Sequence, residues 1–256
     1  MSIAAIISDV HSNIHALRAV LDHARGQGAE RVICLGDVIG YGAHPEECID
    51  LARTFAVCLR GNHEEGCFGQ CDQFSPDAKA ASIWTARRLK PGLFAAAVKR
   101  DRWQFISSTQ RSFEEDGVLY VHGSPRNPVW EYIFDSDCAD VLGEVPEKLS
   151  ENMALLKGPC FVGHTHIPGV IGDDCRFSTP EMLGGTFELK DNAKAIINVG
   201  SVGQPRDRNP KACYVIRDGN KITWHRIEYD AEAAARDITA TRALAPFLGE
   251  RLLKGM

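Results

Sequence analysis

Five short polar clusters carry most of the reactive side chains of this 256-residue chain. They read Asp9-Val10-His11, Gly36-Asp37, Gly61-Asn62-His63-Glu64, His122-Gly123 and Gly163-His164-Thr165-His166. Between them they bring two Asp, one Asn and five His. That is more imidazole than one general base requires, and about what two metal ions require. A nitrogen and oxygen ligand set without thiolate suits Mn²⁺, Fe or Zn²⁺ better than Ca²⁺, with Mn²⁺ the first expectation. Two such cations roughly 3.5–4 Å apart can bind phosphoryl oxygens, acidify a bridging water and stabilise an in-line displacement. Taken singly, each cluster reads as well as a solvated strand end, a structural histidine or a surface loop. What they share is position.

Each cluster follows directly on a short apolar run. The runs Ile3–Ile7, Arg31–Leu35, Phe55–Leu59, Val118–Val121 and Cys160–Val162 are expected strands, joined by Ala195–Val199 and a hairpin of Ala212–Arg217 and Lys221–Tyr229 turning at Asp218-Gly219. Helices are expected from Asn13 to Ala24, capped by Ser12 or Asn13, over Glu46–Arg53 behind Pro45, over Pro76–Lys90, and over Ala231–Leu248 with an interruption near Pro246. The early βαβαβ rhythm followed by a hairpin indicates one α/β domain over residues 1–256 with mixed sheets. The aromatic stretch 125–158 is the least regular and is the candidate for a cap or insert. In open α/β sheets, ligands bind beyond the carboxyl ends of strands, so five such ends converge on one crevice. The glycines at 36, 61, 123 and 163 suit close backbone approach there.

Composition narrows the class. With 44% hydrophobic and 25% charged residues the chain is globular, not disordered. A net charge of −5 argues against a dedicated nucleic-acid surface. The first residues lack a signal-peptide pattern and no apolar run approaches the roughly 20 residues of a membrane span, so a cytoplasmic protein without a membrane partner is expected. The nine cysteines are odd in number and scattered through apolar runs, as reduced core thiols would be. Cys67 and Cys71 have near-ligand spacing, yet no second pair completes a zinc site.

The ordered blocks D-x-H, G-D, G-N-H-E, H and G-H-x-H resemble the signature of the calcineurin-like metallophosphoesterases, and the likeness spans essentially the whole chain. It implies a four-layer fold, two mixed β-sheets flanked by helices. By that resemblance Asp9, His11 and His166 hold one metal, Asn62, His122 and His164 a second, and Asp37 bridges them. His63 matches the family's non-ligand histidine, which protonates the leaving alkoxide or binds phosphate. The implied activity is a dinuclear metal-dependent phosphoesterase using metal-bound hydroxide on phosphodiesters or phosphomonoesters of a small or nucleotide substrate. One departure matters. Where the protein Ser/Thr phosphatases continue to a second Asp and an Arg, this chain has Gly40 and Tyr41, which leaves His63 without its usual acidic partner. The block instead looks like a bacterial and archaeal subgroup related to small phosphodiesterases. Protein phosphatase and dinucleoside polyphosphate hydrolase remain the other enzymatic readings, and a catalytically silent interaction scaffold the non-enzymatic one.

Ser124 and Arg126, just beyond His122, and Arg206, in a Gly-Ser-Val-Gly-Gln-Pro-Arg turn, are substrate-side candidates. His15 and His23 read as helix residues, His225 as a strand residue and His44 as a rim residue. The C-terminal helix reads as packing or as a dimer surface, so a homo-oligomer stays open.

Overall fold

The computed structural model describes residues 2–190 and 193–256. β1 (Ala4–Ile7) leads to α1 (Ile14–Gly26), capped by Asn13, whose side-chain oxygen accepts from Ala16 N at 3.1 Å. β2 (Arg31–Cys34), α2 (Pro45–Ala52) and β3 (Val57–Cys58) follow. Next come α3 (Asn62–Cys67), α4 (Pro76–Leu89), α5 (Ala97–Ser108) and the pair β4 (Ser112–Glu115) and β5 (Val118–Val121). α6 (Glu147–Leu155) precedes β6 (Pro159–Val162), β7 (Gly169–Ile171), β8 (Phe177–Ser178), β9 (Thr186–Glu188) and β10 (Ala195–Asn198). β11 (Ala212–Asp218), β12 (Lys221–Ile227), α7 (Ala231–Ala240) and α8 (Phe247–Glu250) complete the chain.

The strands form two six-stranded mixed sheets, ordered β3-β2-β1-β11-β12-β9 and β4-β5-β6-β10-β7-β8. In the first, β1, β2 and β3 run parallel, and β11 is antiparallel to β1 with Val215 opposite Ile6. In the second, β5, β6 and β10 are parallel, flanked by antiparallel β4 and β7. β1 shows why its sequence is an unbroken apolar run. Ala5 and Ile7 pack with Leu17 and Val20 of α1, while Ile6 faces the other sheet and packs in a cluster with Tyr120, Phe161 and Ile197. Both faces are buried, so no polar alternation is possible. On the far side, Leu149 and Met153 of α6 cover Val121, Cys160 and Val162. The result is the four-layer arrangement that the resemblance implied.

Element boundaries differ at informative places. The hairpin loop is Gly219-Asn220, since Asp218 still pairs with Lys221. The C-terminal helix ends at Ala240, earlier than expected. The Thr241 hydroxyl accepts from Ala243 N and Leu244 N, Arg242 takes a left-handed φ of 56°, and the chain restarts as α8. Ile238, Leu244, Leu248 and Leu252 then form a separate small cluster against Ala43 and Ala81. α5 had no legible stripe because Ile106 is its one buried residue. All nine cysteines are free, and seven of them are buried. No helix among the described residues is long and apolar enough to cross a membrane.

Candidate metal centre

The five clusters meet at the carboxyl ends of β1, β2, β3, β5 and β6. Backbone bonds tie the first two together, Asp9 N to Gly36 O at 3.1 Å and His11 N to Asp37 O at 2.9 Å. Asp9, His11, Asp37, His164 and His166 all take left-handed φ values, from 49° to 66°. Each such turn costs of order 1 kcal/mol for a non-glycine residue, and their concentration here marks a functional site. All eight proposed metal or catalytic residues are at most 5% exposed.

The side chains fall into overlapping groups whose ligating atoms lie within 4.8 Å of one another: Asp9, His11 and His166; Asp37, His122 and His164; and His11, Asp37 and His63. Asp37 stands between the first two. Its Oδ1 accepts from His63 N at 2.8 Å, and its Oδ2 lies 3.7 Å from His11 Nε2 and 3.4 Å from His122 Nε2. Asn62 Oδ1 joins the second group, 3.1 Å from His122 Nε2. Asp9 divides its oxygens in the same way. Oδ2 accepts from His164 N at 3.0 Å, while Oδ1 lies 3.2 Å from His166 Nε2 and has no hydrogen-bond partner.

The rings are oriented as ligands. His11 Nδ1 lies 3.2 Å from Ile39 O, and His166 Nδ1 is bonded to Gln204 O. A carbonyl only accepts, so each Nδ1 carries the hydrogen and each neutral ring turns an Nε2 lone pair inward. Those two Nε2 atoms are 3.1 Å apart. His164 is held the other way round, Nε2 toward Trp130 O at 3.3 Å, which leaves Nδ1 inward and 3.0 Å from His122 Nε2. Burial first, and then neighbouring cationic groups, push His11, His63, His164 and His166 below the usual imidazole range, and burial takes His122 down to about 4. The rings are therefore neutral near pH 7. Burial, Glu64 and Asp9 push the Asp37 carboxyl well above its ordinary value. Converging lone pairs, an orphaned carboxylate oxygen and two buried carboxyls in mutual repulsion are what divalent cations would resolve. The residues present fit such ions.

Among the described residues no acidic side chain pairs with His63. Its Nδ1 is buried and makes no hydrogen bond. A Cβ at Gly40, whose φ is +98°, would collide with that ring, so the position that carries an acid in the protein phosphatases must be empty here. Aromatic packing holds the ring instead, stacked on Phe74 at 4.8 Å and tilted against Tyr41 at 4.4 Å. Glu64 serves as a bracket, its carboxylate accepting from Asp37 N at 2.9 Å and Gly61 N at 2.8 Å. Its motif position could have suggested that role. The sequence marked the aromatic stretch that holds Trp130 and Tyr132 as a cap candidate, but not the stacking of Tyr132 3.6 Å over His164 or the role of the Trp130 carbonyl.

The three substrate-side candidates separate. The Arg206 guanidinium lies near the centre, with its carbon 5.9 Å from the Tyr41 ring centroid, and it lowers His63 and His166. Ser124 and Arg126 are not brought into the centre. The Ser124 hydroxyl donates to Glu131 at 2.6 Å, and Arg126 pairs with Glu131 and Glu151. His15 and His23 lie on α1, His225 on β12, and His44 caps α2. His15 and His44 instead meet Asp237 Oδ2 of α7 at 2.7 and 2.8 Å.

Comparison with known proteins agrees with this geometry. Residues 1–221 match the family described as "Calcineurin-like phosphoesterase superfamily domain". An uncharacterised protein of Methanocaldococcus jannaschii is 37% identical over 264 residues, covering 99% of this chain and 98% of that protein. The crystal structure of a metallophosphoesterase from Sphaerobacter thermophilus superposes with a TM-score of 0.80 at 33% identity, covering 100% of this chain and 99% of that one. A hypothetical protein from Pyrococcus horikoshii OT3 has the same fold, with a TM-score of 0.73 at 19% identity and coverage of 100% and 99%.

Proposed function

The chain belongs to the calcineurin-like phosphoesterase superfamily and is a phosphate ester hydrolase, and on that premise we propose that it uses two divalent cations, Mn²⁺ first among them, to cleave small phosphate mono- or diesters, nucleotides included. Asp9, His11 and His166 hold one cation, Asn62, His122 and His164 the other, and Asp37 joins them. The observation that carries this reading is the 3.1 Å approach of His11 Nε2 and His166 Nε2, both rings locked by backbone carbonyls with lone pairs facing.

When bound, the cations supply Lewis acidity and a deprotonated water as nucleophile. Arg206 receives the phosphoryl group as a fixed positive charge. His63, gripped by Phe74 and Tyr41, takes up a proton from solvent and passes it to the leaving oxygen. The part of residues 125–158 around Trp130 and Tyr132 acts as a wall over the second cation, through the Tyr132 ring and the Trp130 carbonyl. The test is hydrolysis of p-nitrophenyl phosphate and bis(p-nitrophenyl) phosphate by protein loaded with Mn²⁺, Zn²⁺ or Fe²⁺. Turnover that follows metal loading is expected. A fully loaded protein that leaves both esters intact refutes the reading.

A further inference from the structure

One cationic feature at the edge of the crevice is used by the centre only in part, through Arg206. Two guanidinium groups lie beside a single ring. Arg206 and Arg251 place their guanidinium carbons 5.9 and 6.0 Å from the centroid of Tyr41, and Tyr41 in turn packs 4.8 Å from His11 and 4.4 Å from His63. Like charges gathered at one ring are costly unless a counter-charge lies near them. No Asp or Glu side chain among the described residues pairs with either arginine. Asp207, next to Arg206, is taken by Arg226. Arg206 gives one Nη2 hydrogen to Gln204 Oε1 at 2.9 Å, but its Nε is buried with no partner at all. Arg251 donates through Nε to Met256 O, and its guanidinium also lies over Phe247. Burial together with Arg206 brings the Arg251 guanidinium down to about 10, the sign of a site lacking an anion.

We propose that Arg251, which lies with Arg206 beside Tyr41, extends the cationic edge into a second anion site, selecting substrates that carry a further phosphoryl group next to the one Arg206 helps to receive at the metal centre. The proposal rests on the metal-centre reading above and names its preferred substrate class: diphosphate-bearing or bisphosphorylated small molecules, ahead of simple monoesters. Planar guanidinium groups with free N–H edges match phosphate oxygens in geometry as well as charge. Arg251 arrives from the segment after α8, outside residues 1–221 that match the family. The preference is therefore a property of this C-terminal segment and not of the common metal site.

Calorimetry on Mn²⁺-loaded protein tests this without needing turnover, so a failure of hydrolysis and a failure of this site are told apart. The probes are methylenediphosphonate and methylphosphonate, with metal content measured after each titration. The native protein should bind the diphosphonate at least tenfold more tightly. Losing one charged hydrogen-bonding partner removes about ten- to a hundredfold of affinity. The diphosphonate-to-monophosphonate affinity ratio should accordingly fall at least tenfold in Arg251→Gln and recover in part in Arg251→Lys. Circular dichroism and retained binding of methylphosphonate establish that each variant is folded. Equal affinity for the two ligands in the native protein, or a ratio unchanged within twofold in Arg251→Gln, overturns the proposal.

Discussion

On one side of the crevice, the polar groups arrive buried at strand ends, and several have a second atom tied down: Asp37 by His63 N, Asp9 by His164 N, His11 by the Ile39 carbonyl. On the other side, two arginines reach Tyr41 from a surface turn and from the C-terminal segment, and their N–H edges are only partly engaged. The first arrangement is rigid and neutralises its imidazoles by burial. The second keeps its charge, as the proposed anion site requires. Chemistry that must be held to fractions of an ångström sits on strand ends buried by two sheets, while recognition sits on elements that can differ between relatives without disturbing the centre.

The sharpest way to break this division is at Asp37. In Asp37→Asn the bridging charge is lost while the volume is kept, so kcat/KM should drop by about a thousandfold or more, given that metal assistance contributes several kcal/mol and each 1.36 kcal/mol is tenfold. Bound metal, measured by plasma mass spectrometry, should fall with it. Full metal content with native turnover would remove Asp37 from the bridge.

Next in size is His63. His63→Gln should lose about 10²–10⁴ in kcat, the usual contribution of a positioned proton donor, while metal content stays native. Loss of metal would make it a ligand instead. Gly40→Ala probes the same ring from outside. It forces a Cβ into His63 and an alanine into a left-handed turn, for about 1–3 kcal/mol of stability, and should lower kcat with metal retained. Thermal melting and metal analysis on one sample read both effects.

How far these positions were legible in sequence follows the same division. Asp9-x-His11, Asp37, His122 and His164-x-His166 each stand directly after an apolar run, and burial on both sheet faces is what makes those runs visible. Spacing along the chain could therefore find the centre. It could not find that His164 turns Nδ1 inward while the other rings turn Nε2, because the Trp130 carbonyl comes from an irregular segment 34 residues away. Nor could it find Arg251, whose place depends on Thr241 ending α7 and on a small separate cluster around Ile238 and Leu248. Arg126 looked like a substrate contact by its nearness to His122, and local pairing with Glu131 and Glu151 claims it.

A smaller effect is expected from Arg206→Ala. Removing its charge should raise KM for p-nitrophenyl phosphate about tenfold or more, as for one charged hydrogen bond, with kcat falling less. Steady-state kinetics across substrate concentration separate the two. A loss confined to kcat would assign Arg206 to His63 and His166, whose protonation it opposes, and not to substrate.

The smallest effect should come from Asp237, and it tests whether the two sides are mechanically separate. Asp237 Oδ2 receives both His15 and His44, so one carboxylate fastens α7 to the starts of α1 and α2. Burial pushes this carboxyl upward, but the bonds from His15 and His44 outweigh it and the group ends below its ordinary value. A folded-state value below the unfolded one means stability that is fully present above the ordinary carboxylate range and is lost as pH falls through the folded-state value. The side chain is 37% exposed, so solvent limits the gain to about 1 kcal/mol, or about 2–4 °C in melting temperature for a chain of this size. Asp237→Asn should thus melt lower than the native protein at pH 7, and the gap should close in acid. Hydrogen exchange should quicken in α7 and around Arg251, with metal content unchanged. Metal lost from the centre in Asp237→Asn would mean that the C-terminal segment supports the strand ends as well as the arginine edge, and the two sides of the crevice would then have to be treated as one cooperative unit.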